Sequence, residues 1–326
     1  MKRSLRRLFV GTRFDRLLWM LSSKRVSILA YHGVCEDRLA GEQWVPKYMV
    51  TRSAFESQMV YLKKHSRIVS LREAIALLQS GRLEGPCVSI TFDDGYANNL
   101  YLAYPLLQKY RLPATIFLAT KYVEGGDLFP FHRLSLIRLA GYLDEGPVSG
   151  SGKSLLEYKT NPLDSVLERT ERCWQEVKSQ LSKDQYETLR PLRIGELKQF
   201  DSGLVDFGAH THTHCILRNE TELRREHEIS ESLELVSHWL GSPTRLFSYP
   251  NGEPGDFNAR DKEVLRSRGV EAAVSMLPGS NRSGSDLLEL KRYGVGLHHD
   301  HDAFVCEVSG FSTALRSFAA SPWLRL

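Results

Sequence analysis

Apolar residues in this chain fall into short continuous runs separated by longer amphipathic stretches. The run 28–31 (Ile28, Leu29, Ala30, Tyr31) stops at His32-Gly33, and 87–92 and 114–119 repeat the pattern. Each run is too short for a helix and is bounded by turn residues, so each reads as a buried strand. Between them, 53–64 carries Phe55, Met59, Tyr61 and Leu62 at helical spacing with Ser53 placed as N-cap. A second helix spans 71–79 and closes at Gly81, and a third spans 101–110. This alternation predicts a parallel sheet or a β/α barrel. It breaks from about 127 to 195, where the chain turns helical and polar around a Gly/Ser-rich loop at 146–152. It resumes with strands at 204–209, 246–249, 272–276 and 293–295 and helices at 220–240 and 261–268. The pattern therefore predicts one α/β domain over 26–326, a barrel-like body with a helical insertion at about 127–195. A separate segment, 1–25, precedes it.

That first segment changes the picture through its charge. Lys2, Arg3, Arg6, Arg7, Arg13 and Arg16 face only Asp15 across its first part, with Leu5, Leu8, Phe9, Leu17, Leu18 and Leu21 among them at roughly helical spacing. A secretory signal needs an unbroken apolar core after its basic start, and Arg13, Asp15 and Arg16 interrupt one here. Two readings stand: a helix packed on the domain, or a basic amphipathic segment in peripheral contact with an anionic membrane surface. No later run approaches the ~20 apolar residues that span a bilayer. Over the 326 residues, 42% are hydrophobic, 25% are charged and the net charge is +4, the balance of a soluble globular protein. No basic stripe interleaved with aromatics points to nucleic acid. Cys35, Cys87, Cys173, Cys215 and Cys306 are odd in number and scattered, without a C-x-x-C pair. That excludes a disulfide framework and a cysteine zinc site as expectations, and predicts a reducing, cytoplasmic location.

Two strand ends carry the candidate chemistry. The run Val88-Ser89-Ile90-Thr91-Phe92 leads straight into Asp93-Asp94-Gly95, and parallel α/β folds place their active sites at that end of their strands. Adjacent carboxylates repel unless a cation or proton intervenes; the competing reading is a solvated Asp-Gly turn. The strand at 204–209 leads into His210-Thr211-His212-Thr213-His214, and imidazole is the usual nitrogen ligand for zinc and its neighbours. His210 and His214 share a face if the chain turns helical there, His210 and His212 if the strand continues.

Thr91-Phe92-Asp93-Asp94-Gly95 and His210-Thr211-His212-Thr213-His214, in this order and each behind a strand, resemble the two strongest motifs of the polysaccharide (chitin) deacetylase superfamily, carbohydrate esterase family four. The opening Leu29-Ala30-Tyr31-His32-Gly33-Val34 is similar to a subgroup associated with exopolysaccharide synthesis. The resemblance implies a distorted (β/α) barrel and a divalent metal, commonly zinc, held by Asp94, His210 and His214, with Asp93 as catalytic base. It implies a metal-dependent hydrolase that removes an N-acetyl group from amino sugars of a polysaccharide or glycan precursor. A lipid-linked amino sugar as substrate, deacetylated or deformylated, and a non-catalytic carbohydrate-binding relative are the alternatives. Around Ser248-Tyr249-Pro250-Asn251-Gly252 the chain departs from the pattern, because many members have an arginine where Ser248 stands and an aromatic where Asn251 stands. The backbone N–H after Pro250, that of Asn251, remains a donor for the oxyanion. Arg245 is the candidate to replace the missing arginine. Leu297-His298-His299 has the form of the family's late L-x-H motif and nominates His299 as general acid. His32, at the end of the first strand, reads as a buried structural histidine or as part of the same rim.

Overall fold

The computed structural model describes residues 24–142 and 158–311 together with Arg6, Val10 and Thr12. The expected basic segment 1–25 therefore lies almost wholly outside the described residues. Seven strands form the body: β1 (Val26–Tyr31), β2 (Cys87–Phe92), β3 (Ala114–Leu118), β4 (Val205–Ala209), β5 (Leu246–Ser248), β6 (Ala272–Pro278) and β7 (Leu290–Gly294). Each pairs in parallel with the next, and β1 pairs with both β2 and β7, through Tyr31↔Phe92 on one side and Ala30↔Gly294 on the other. The sheet thus closes into a barrel. Its loosest seam is β4–β5, joined by the single pair Ala209↔Phe247. All six residues of β1 and of β2 are buried, as expected of parallel strands covered on both faces.

The first residues of five strands, Val26, Cys87, Leu246, Ala272 and Leu290, share one core cluster with Leu71, Ala74, Ile75 and Leu78. Helix α1 spans Arg52–His65 and α2 spans Leu71–Ser80. An apolar face of α2 therefore plugs the barrel at the N-terminal mouth, each buried leucine contributing ~1.5–3 kcal/mol. Gly208 in β4 makes room in the barrel wall, since a Cβ there would lie 2.5 Å from the Phe117 ring and 2.8 Å from the Leu246 carbonyl. The apolar body and plugged base leave the C-terminal mouth for polar groups.

Two local expectations shift. The cap of α1 is Thr51, whose side chain accepts from the Ala54 N–H, rather than Ser53. Thr51 is already extended, paired with Cys35, so the chain turns helical one residue earlier. The expected helix at 101–110 begins as a wider π turn, Asn99–Ala103, before α3 (Tyr104–Tyr110). Such turns recur at functional sites. Here the turn presents Asn99 Nδ2 to the His32 carbonyl at 2.8 Å, while Asn98 Oδ1 accepts from the Val34 N–H at 2.9 Å, which pins the end of β1. Within 127–195 the described residues carry the helices α4 (Pro130–Leu139), α5 (Leu163–Lys178) and α6 (Lys183–Leu189). Phe129, Leu136, Ile137, Trp174 and Leu189 bury together with Leu39, Val45 and Met49 of the loop after β1 and with Tyr96. The insertion is thereby fastened beside the C-terminal mouth.

Candidate active site

The strand β2 delivers Asp93 and Asp94 to the mouth, 2% and 1% exposed. Adjacent residues of a strand point to opposite faces, but Asp94 has left the strand and sits at φ +71°, a region that aspartate tolerates better than most residues. Both carboxylates can therefore face one space. Four of the five non-glycine residues with positive φ among the described residues, Asp94, Thr211, His214 and Asn251, are motif residues. For the β-branched Thr211 this conformation is strained, at a cost of order 1–3 kcal/mol. Glu228 holds the turn in place. Wholly buried on α7 (Glu222–Leu240), it accepts from the Thr213 N–H at 2.7 Å and the Thr213 hydroxyl at 2.8 Å.

That turn brings His210 and His214 together and leaves His212 out. The Nε2 atoms of His214 and His210 lie 2.9 and 3.5 Å from Asp94 Oδ1. His212 instead turns its Nδ1 to the Thr120 hydroxyl at 2.9 Å. The outer ring nitrogens determine what the inner ones offer. His210 Nδ1 sits 2.7 Å from the Ser248 carbonyl, which only accepts, so this nitrogen carries the proton and a neutral ring keeps a lone pair at Nε2. The Tyr158 hydroxyl donates to the His214 carbonyl, so it accepts from His214 Nδ1, 2.6 Å away, and again Nε2 is left with the lone pair. Asp94 Oδ1 is buried and accepts no hydrogen bond. Two lone pairs and an unpartnered carboxylate oxygen, one ligand atom from each residue and all within 4.8 Å of one another, repel unless a cation or a proton lies between them. Two imidazoles and a carboxylate are a donor set suited to a divalent ion such as zinc, with coordination positions left open.

Asp93 is held differently. Arg292 of β7, with no exposed surface, donates through Nη1 to Asp93 Oδ1 at 2.8 Å and through Nη2 to Oδ2 at 2.6 Å. The Ser248 hydroxyl donates to Asp93 Oδ1 at 3.2 Å while accepting from Arg292 Nη2 at 3.0 Å. The guanidinium is itself fixed by Nε donating to the Ser275 carbonyl at 2.9 Å. Burial opposes charge on Asp93, but Arg292 and the neighbouring His210 outweigh it and hold the carboxyl below its ordinary value. Arg245, expected to supply this arginine, pairs with Glu271 instead, its side chain half exposed. Arg292→Leu is expected to destabilise the protein by ~3–5 kcal/mol, the cost of stranding one member of a buried ion pair. It should also raise the Asp93 pKa, because the attraction that outweighed burial is gone. Denaturant melts and the acid limb of the pH–rate profile check both, and an acid limb that stays in place would contradict this account of Asp93.

Of the remaining expected residues, Pro250 and Asn251 follow β5 after Tyr249. Asn251 Nδ2 donates to Asp256 at 2.5 Å, and among the described residues nothing accepts from the Asn251 backbone N–H. His299 lies apart. Its ring stacks on His298, its Nδ1 accepts from the Gly296 N–H at 3.2 Å, and burial lowers its pKa to about 4. None of those neighbours belongs to the carboxylate–imidazole group. His32 does stand with that group: its buried Nδ1 has no partner, and its ring lies 4.8 Å from Tyr48. Burial lowers its pKa, against the attraction of Asp94 and Asp93. A cavity of about 490 Å³ adjoins the site, lined by Trp44, Tyr48, Phe131, His132 and Leu297. Phe131 also packs 5.1 Å from His214.

Residues outside the expected motifs thus complete the site. Arg292 had a faint signal: it has the parity of the buried Leu290 in β7, with exposed Lys291 between them. An expected strand starting at 293 left it out. Tyr158 and Glu228 had none, since their roles depend on which loop they meet.

Parallel barrels do their chemistry at the mouth where the strands end, and here that mouth combines a cation-ready donor set with an ionised carboxylate. That places the molecule among the barrel hydrolases. More narrowly, the sequence profile of the polysaccharide deacetylase family matches residues 80–149 and 193–273, and the chain belongs to that family. Over 100 residues it is 35% identical to a poly-beta-1,6-N-acetyl-D-glucosamine N-deacetylase of Staphylococcus epidermidis, a stretch covering 30% of this chain and 34% of that protein. The match thus spans about a third of the length of that relative. The fold is similar to that of the Streptococcus pyogenes deacetylase PplD, with a TM-score of 0.59, 17% identity and coverage of 87% of this chain and 98% of that one. It is also similar to IcaB from Ammonifex degensii, with a TM-score of 0.56, 19% identity and coverage of 89% and 97%.

Proposed function

We propose that this chain is a zinc-dependent N-deacetylase acting on N-acetylated amino sugars of an exopolysaccharide. The observation that carries the reading is the pairing of an Asp94–His210–His214 donor set, unpartnered at its centre, with a separately held and ionised Asp93. The Staphylococcus epidermidis relative, named for poly-beta-1,6-N-acetyl-D-glucosamine, supports a β-linked glucosamine polymer as substrate. A zinc ion held by Asp94, His210 and His214 would supply Lewis-acid chemistry, polarising the acyl carbonyl and lowering the pKa of a water. Asp93 accepts the proton of that water as it attacks the acyl carbon, and Arg292 keeps the carboxylate oriented and charged. The Asn251 backbone N–H donates to the oxyanion that develops. His32, whose buried Nδ1 has no partner among the described residues, is the imidazole assigned to give a proton to the departing amine nitrogen, the role first expected of His299.

No disulfide joins any of the five cysteines, four of which are buried, and this supports a reducing compartment. Among the described residues no helix is long and apolar enough to cross a membrane.

Acetate release is the test. Purified protein with added zinc is expected to release acetate from β-1,6-linked N-acetylglucosamine oligomers and to lose that activity with a chelator. Release only from a lipid-linked amino sugar would move the substrate to the membrane face. Zinc binding with no acetate or formate released from either would leave a carbohydrate-binding protein.

A further inference from the structure

The polar insertion gave no sign in sequence of touching the chemistry, yet its Tyr158 meets a metal-ligating histidine twice. This residue is 5% exposed and lies 56 positions before His214. Its hydroxyl donates to the His214 carbonyl and accepts from the Nδ1–H, so one oxygen fixes both the backbone of a residue at φ +58° and the tautomer of its ring. The rings of Tyr158 and His214 are near parallel, with centroids 6.1 Å apart. Phe131 closes the opposite corner, 5.6 Å from Tyr158 and 5.1 Å from His214. His214 is therefore clasped by two insertion residues, one orienting it through hydrogen bonds and one through packing.

We propose that Tyr158 is the positioning residue that prepares His214 for the metal, so that metal binding and docking of the insertion stabilise each other. The inference rests on the metal reading of the site but not on the identity of the substrate. The physical chain is short. His210 has its tautomer set by a barrel carbonyl, Ser248, which the folded body always supplies. His214 has its own set by a side chain from outside the barrel, which is present only when the insertion is docked. Without that hydroxyl, Nδ1 and Nε2 compete for the proton, and the tautomer protonated at Nε2 offers the ion no lone pair. Orienting partners of metal-bound histidines contribute ~10–100-fold in metal affinity. Linkage then requires the ion to tighten docking of the Tyr158 segment by the same factor.

The test measures binding rather than turnover. Zinc titrated into chelator-stripped Tyr158→Phe protein is expected to bind ~10–100-fold more weakly than to wild type. Phenylalanine keeps the ring packing against Phe131 and removes only the hydroxyl. In parallel, hydrogen exchange of residues 158–170 in the wild type is expected to slow on adding zinc, and to respond less in Tyr158→Phe. Wild-type zinc affinity in Tyr158→Phe would overturn the proposal. So would exchange in the wild-type segment that ignores zinc, a measurement that needs no variant to fold. A wild type that shows both effects but releases no acetate would defeat the deacetylase reading and leave this one standing.

Discussion

Asp93→Asn is expected to lower turnover by ~10²–10⁴-fold while the protein still binds its metal at the wild-type level. The amide cannot take a proton from water, and Asp93 is not among the three residues whose ligand atoms converge. The substitution also disturbs the pair with Arg292. The carboxylate accepts from both guanidinium nitrogens, whereas an amide accepts through one oxygen and turns an NH₂ towards a group that only donates. The variant should therefore melt earlier, approaching the ~3–5 kcal/mol cost of a broken buried pair. Turnover must be measured at saturating zinc and below the melting transition. Near-normal turnover under those conditions would remove Asp93 from the role of base. A variant that has lost its metal would mean that the two aspartates have been assigned the wrong way round.

The histidines provide the second large effect. Protein purified without chelator is expected to carry close to one metal per chain. His210→Ala and His214→Ala should lose it, and His212→Ala should keep it. Two donors hold a divalent ion far more weakly than three, whereas His212 points its Nδ1 at Thr120 rather than at Asp94. Stability offers an independent reading. A ligand at 100 times its Kd stabilises the native state by ~2.7 kcal/mol, so zinc should raise the melting temperature of wild type and His212→Ala but not of the other two. An empty site in His212→Ala together with a full one in His214→Ala would refute the ligand set.

Strand positions and the two motif loops were legible because both depend on local order. Runs such as 28–31 and 87–92 are apolar without alternation because parallel strands are buried on both faces, and that pattern survives in one dimension. Asp93 and Asp94 are adjacent and the three histidines fall within five residues, so their density is visible without a fold. Which two histidines converge was left open by the residue pattern alone, and only the family resemblance named His210 and His214. Their convergence depends on Thr211 and His214 taking positive φ, in a turn that Glu228 holds through Thr213, fifteen residues before it.

What the sequence determined alone was the barrel class and the identity of the carboxylate and imidazole groups at two strand ends. The tertiary structure decided everything that depends on closing the barrel. It brought Arg292 of the last strand against Asp93, 199 residues away, because β7 closes the ring on β1. That same closure left Arg245 on the surface with Glu271 and put His32 of the first strand in the field of both aspartates. It also docked the insertion so that Tyr158 reaches His214. The physical reason is common to all four. Period and composition record which face of its own element a residue occupies, whereas a buried ion pair or a ligand's tautomer is set by an element far along the chain, and nothing local encodes that meeting.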